Sequence, residues 1–218
     1  MKYFALVCSG MLITVFSAFS SPDILLDRFA ARVNDDVITE SMVEMELALL
    51  DSPLAPERIE KTTWNKKNIL ERLIDRHLIV LEAHRFITIP DQSIGERVDK
   101  YIQKSGGREV FLHQLNTLGT SEQEFRHRIR SLMLFEAYID QRIRVFIQIQ
   151  PRDIDIYIQQ HAAELGLDPD KGPQDGQIST SMRELIGNLL RESLVNERLE
   201  ELLRNLRKTA DIKILEAF

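Results

Sequence analysis

The chain has 218 residues, with 28 Lys and Arg against 34 Asp and Glu, a net charge of −6 and a single cysteine. An acidic balance of this kind argues against a nucleic-acid partner, which needs a basic face. Cys8 falls in an apolar leader, so disulfides, thiolate nucleophiles and cysteine metal sites are excluded from everything after it.

Residues 1–20, MKYFALVCSGMLITVFSAFS, set Lys2 ahead of an apolar run from Tyr3 to Phe19. Ala18 and Ser20 occupy the −3 and −1 positions of a cut before Ser21, the layout of a secretory signal peptide. An uncleaved anchor is the alternative. Against it, the run is broken by Ser9, Gly10, Thr14 and Ser17 and falls short of the roughly 20 residues a span needs. Cys8 lacks the Leu-(Ala/Ser)-(Gly/Ala) run that precedes a lipidated cysteine. Loss of Lys2 leaves 27 cations against 34 acids, a net charge of −7. No second long apolar run follows, so no membrane insertion is expected after cleavage and the product is expected outside the cytoplasm.

ARVNDDVITES, residues 31–41, reads as two short strands, Ala31–Val33 and Val37–Thr39, folded over Asn34-Asp35-Asp36. Asn and Asp tolerate the left-handed backbone that tight hairpins require. Helical periodicity then takes over. Glu40 to about Leu50 carries Met42, Met45 and Leu49 on one side, and DSPLAPE ends it. Thr62 or Thr63 caps a helix to about Phe86, striped by Ile69, Leu70, Leu73, Ile74, Leu78 and Leu81. Pro90 opens the next, with Ile94, Val98 and Ile102 on one face. Gly106-Gly107 and Gly119 bracket a short helix bearing Phe111, Leu115 and Leu118.

Ser121-x-x-Glu124 is a capping box. It opens a helix with Phe125, Ile129, Leu132, Met133, Ile139 and Ile143 inward and Arg126, Arg128, Arg130 and Arg142 outward. VFIQIQ is expected to be extended, and Pro151 starts a helix with Asp153 near its positive end. Residues 165–177, LGLDPDKGPQDGQ, form a linker. A long helix from about Thr180 to Lys208 follows. Its early apolar residues (Met182, Leu185, Ile186, Leu189) and late ones (Leu199, Leu202, Leu203, Leu206) do not share a stripe, so it changes packing partner between Gly187 and Ser193. Ile212 and Ile214 alternate with Asp211 and Lys213, a strand signal. This strand is the best partner for the opening hairpin, which alone would be marginal in water. The expected fold is mainly α, with a small sheet joining the two ends.

The sequence holds no phosphate loop, nucleophile elbow or His-Glu-x-x-His pair. His77 and His84 sit seven apart on one helical face, but zinc sites on helices use three or four and a third ligand is missing. Asp35-Asp36 and Glu200-Glu201 have turn and helix-surface explanations, and neither setting would lift a pKa. No catalytic residue, metal site or cofactor is assigned. Met42, Met45, Trp64, Phe111, Phe125, Phe135 and Tyr138 remain. Singly each reads as core; together they could leave an apolar groove, and methionine suits promiscuous apolar surfaces.

RFAARVNDDVITESMVEMEL and ILERLIDRHLIVLEAHRFITIPDQSIGERVDKYI resemble the amino-terminal module of the SurA family of periplasmic chaperones. FRHRIRSLMLFEAYIDQRIRVFIQIQPRDIDIYIQQHAAELG resembles that module's last two helices, and RESLVNERLEELLRNLRKTADIKIL the family's closing helix and strand. The resemblance divides the chain into a leader (1–20), an amino-terminal chaperone module (21–164), the linker (165–177) and a completing segment (178–218). Family members carry parvulin prolyl isomerase domains between these segments. Such a domain of roughly 100 residues has no room in the linker, so isomerase activity is not carried over. The resemblance implies a periplasmic, ATP-independent holdase for unfolded outer-membrane or exported proteins. A dedicated assembly factor with one folded partner is the rival, and a homodimer could form by exchange of the end strands.

Overall fold

The structure, a computed structural model, describes residues 27–55, 64–165 and 178–215. The leader and its cut, Thr62, Thr63 and the linker beyond Leu165 lie outside the described residues. Those described are mainly helical. In chain order they form β1 (Phe29–Val33), β2 (Asp36–Thr39), α1 (Glu40–Leu50), α2 (Lys66–Ala83), α3 (Asp91–Lys104), α4 (Arg108–Thr117) and α5 (Glu122–Arg142). A 3-10 turn at Arg144–Phe146 leads to α6 (Pro151–Gln160), α7 (Thr180–Thr209) and β3 (Ile212–Ile214).

The hairpin forms where the sequence places it, with Val33 opposite Asp36, so that only Asn34 and Asp35 make the turn. Asn34 is left-handed, at φ 55°. The antiparallel sheet has the order β2-β1-β3, and Ala31, Arg32 and Val33 of β1 face Ile214, Lys213 and Ile212 of β3. The hairpin thus finds its partner at the far end of the chain. Ala31, Val33 and Ile38 turn inward onto Ile69, Leu70, Leu73 and Ile74 of α2, with Leu206 and Ile212 closing that cluster.

A second core gathers Leu49 and Leu54 with α3, α4 and α5. At its centre Phe125 meets Tyr101 and Phe111 edge to face, with ring centroids 5.3 Å and 5.4 Å away. Edge-to-face geometry suits the ring quadrupoles and adds to the area buried. The capping box is complete, with Ser121 Oγ accepting from the Glu124 amide and Glu124 accepting from the Ser121 amide.

Helix α7 changes partner as its split stripe implies. Its first half lies on α6, where a Cβ at Gly187 would stand 3.3 Å from Ile154 Cδ1. In its second half Val195, Leu199, Leu202, Leu203 and Leu206 cover α2 and α5.

Three expectations are corrected. Helix α2 starts at Lys66, because Asn65 supplies the cap by accepting from the Asn68 amide, and it stops at Ala83, where a turn brings Ile87 into the core. Its buried stripe takes in Ile79 and Val80, while Leu81 is only half-buried. VFIQIQ is not extended throughout: Arg144 to Phe146 coil into the 3-10 turn.

Because Phe125 is fully enclosed, Phe125→Ala is expected to cost about 3–5 kcal/mol, read as a lowered urea midpoint. Met42→Ala, at an exposed site, should stay within about 0.5 kcal/mol.

Candidate functional site

The inward face of α1 is not the one that apolar periodicity suggests. Val43, Glu46 and Leu49 are buried, whereas Met42 is 39% exposed and Met45 half-buried. Turning α1 this way drives a carboxylate into the protein and leaves two methionines along an opening of about 430 Å³ between α1, α2 and α5. Met42, Met45, Leu73, Val80 and Ile38 form its apolar wall. Asp27, Glu124, His77 and His127 also line it, with Glu46, Arg76 and Arg128.

Arg128, expected on the solvated face of α5, is instead buried. It grips Glu46 in a two-point contact, Nε donating to Oε1 at 2.9 Å and Nη2 to Oε2 at 3.0 Å. Arg76 Nη1 donates to the same Oε1 at 2.8 Å. Burial alone would raise the Glu46 pKa; the Arg128 and Arg76 guanidiniums outweigh it and lower the value from 4.5 to about 2. The rim acids are occupied. Glu124 is held below the usual carboxylate range by the Ser121 amide and hydroxyl. Burial would raise the Asp27 pKa, but its bonds to the amide and hydroxyl of Ser41 outweigh that and lower it.

Of the seven apolar candidates, only Met42 and Met45 line this groove. Phe111 and Phe125 are wholly inside the second core and present no surface. Trp64 packs beside the first core under the Arg72 guanidinium, 4.5 Å from the ring centroid. Phe135 faces α7. Tyr138, almost fully buried, borders a separate cleft of about 560 Å³ with Arg142, Phe146 and Leu194. Glu46 and Arg128 escaped the sequence reading although each left a trace. Glu46 is spaced three from both Val43 and Leu49, and Arg128 is three beyond Phe125, so both are charges inside an apolar stripe.

The folded-state pKa of Glu46 lies below its unfolded value, so its contribution is complete above about pH 4.5 and fades as pH falls towards 2. The displacement is worth about 3 kcal/mol. Urea midpoints of the unaltered protein should therefore drop more steeply between pH 5 and 2.5 than those of Glu46→Gln. At neutral pH Arg128→Ala should cost about 3–5 kcal/mol, because it takes the two-point partner from a buried carboxylate and leaves it Arg76 alone.

No family model matches the chain. It is similar to Chaperone SurA of Photorhabdus laumondii, 29% identical over 164 residues, 73% of this chain and 38% of that one. The corresponding protein of Saccharophagus degradans is 25% identical, with 71% and 37% covered, and that of Legionella pneumophila strain Lens 28%, with 72% and 37%. The chain thus spans less than two fifths of the length of these relatives. Over nearly three quarters of its own length, the chain is similar to these SurA chaperones.

Proposed function

We propose that the protein is an ATP-independent holdase, which binds unfolded outer-membrane or exported polypeptides in the groove walled by Met42 and Met45. One observation carries this reading: two methionines stand at an open, partly apolar groove on a chain whose relatives are chaperones. Methionine side chains are unbranched and polarizable, so they repack around many different partners. An unfolded chain held there keeps its apolar segments and unpaired backbone from other chains. Weak contacts allow release without nucleotide, and the acid excess of the sequence keeps the complex soluble.

On this reading the leader directs the chain to the periplasm, and residues 21–164 and 178–218 act as one body across the 165–177 linker. No catalytic step is involved. Among the described residues no helix is long and apolar enough to cross a membrane.

The purified protein should slow aggregation of a diluted, denatured outer-membrane barrel at a near-stoichiometric ratio. Met42→Glu with Met45→Glu should remove most of that protection while helical circular dichroism is kept. Full protection by this variant would place the activity elsewhere.

A further inference from the structure

Arg128 has more capacity than the fold uses. Its Nε and Nη2 are committed to Glu46, while Nη1 is buried without a hydrogen-bond partner among the described residues. The side chain is only 6% exposed, yet the residue belongs to the groove lining. A buried donor without an acceptor is a standing cost to the fold that a ligand can relieve. The two-point grip of Glu46 also fixes the guanidinium plane, so ordering it again for a ligand costs little.

The charges around the groove decide which acceptor suits this donor. Asp27, Glu46 and Glu124 bring three carboxylates to the lining, and Arg76 and Arg128 two guanidiniums. One acid is in excess, and the charge of Arg128 is already matched by Glu46. A free anion gains nothing here. A neutral acceptor does, and the backbone carbonyl is the one that every unfolded polypeptide carries. In folded proteins nearly all buried carbonyls are already paired.

We propose that Arg128 Nη1 takes a main-chain carbonyl of the polypeptide lying in the groove, a proposal that rests on the holdase reading above. The recognised ligand is a stretch of extended, uncharged chain. Met42, Met45, Leu73 and Val80 contact its side chains while Arg128 holds its backbone. Selection of unfolded over folded protein then comes from carbonyl availability rather than from sequence.

The test is fluorescence anisotropy with a fluorescein-labelled, aromatic-rich peptide without charged side chains. Its amides are replaced one at a time by thioamides, whose sulfur is a poor acceptor. With the unaltered protein, one position should weaken binding about tenfold, the loss of one hydrogen bond to a charged donor, and the others little. In Glu46→Gln with Arg128→Met, which removes both partners of the two-point contact and leaves Arg76 an amide oxygen to bond, the same scan should be flat with the fold intact by circular dichroism. A flat scan on the unaltered protein, with the parent peptide still bound, overturns carbonyl capture and leaves the groove standing. Tighter binding of an aspartate-bearing peptide overturns the neutral-acceptor argument. No binding of any peptide overturns both readings.

Discussion

Asn34 and Asp211, 177 residues apart, exchange a pair of hydrogen bonds: the Asn34 amide donates to the Asp211 carbonyl at 2.8 Å, and the Asp211 amide to Asn34 Oδ1 at 3.0 Å. Arg32 adds an ion pair to the Asp211 carboxylate at 2.6 Å. Next to these bonds β3 completes the sheet that the hairpin begins. The same closure sets the second half of α7 down on α2, where Arg207 reaches Asp75 and Glu71, each at 2.7 Å. With the chain ends joined, β1 is the central strand of three and has no open edge. The helices that shape the groove are held from both sides.

Within that frame, Glu46 governs the groove. A buried ion pair contributes little net stability compared with apolar residues of the same size, because both charges lose their water. Its effect here is positional. Because Glu46 must meet Arg128 and Arg76, α1 is rotated so that Val43 and Leu49 face the core and Met42 and Met45 face the opening. Apolar residues in place of both Glu46 and Arg128 would fill the core and would leave that rotation unspecified.

The elements were legible in the sequence because their signals are local. Asn34 in the turn, the Ser121–Glu124 box, Pro151 at a helix start and the split stripe of α7 each follow from backbone or packing rules that act over a few residues. The groove was only partly legible. Met42 and Met45 stood out as apolar, but a sorting by polarity sends Glu46 and Arg128 to the surface. Only their meeting, 82 residues apart in sequence, reveals why both are inside. Phe111 and Phe125 failed as surface candidates for the opposite reason: aromatic bulk is as useful to a core as to a groove.

The pairing of β1 with β3 also shapes how the protein comes into being. Contacts between distant parts of a sequence carry a loop-closure penalty that must be met before they yield any gain, and they slow folding. A polypeptide made amino end first presents β1 and β2 long before Asp211 to Ile214 arrive. Until then the central strand stays half-paired and the groove's supporting helices lack their clamp. For that interval the last-made residues decide whether the first-made strands are sheltered at all.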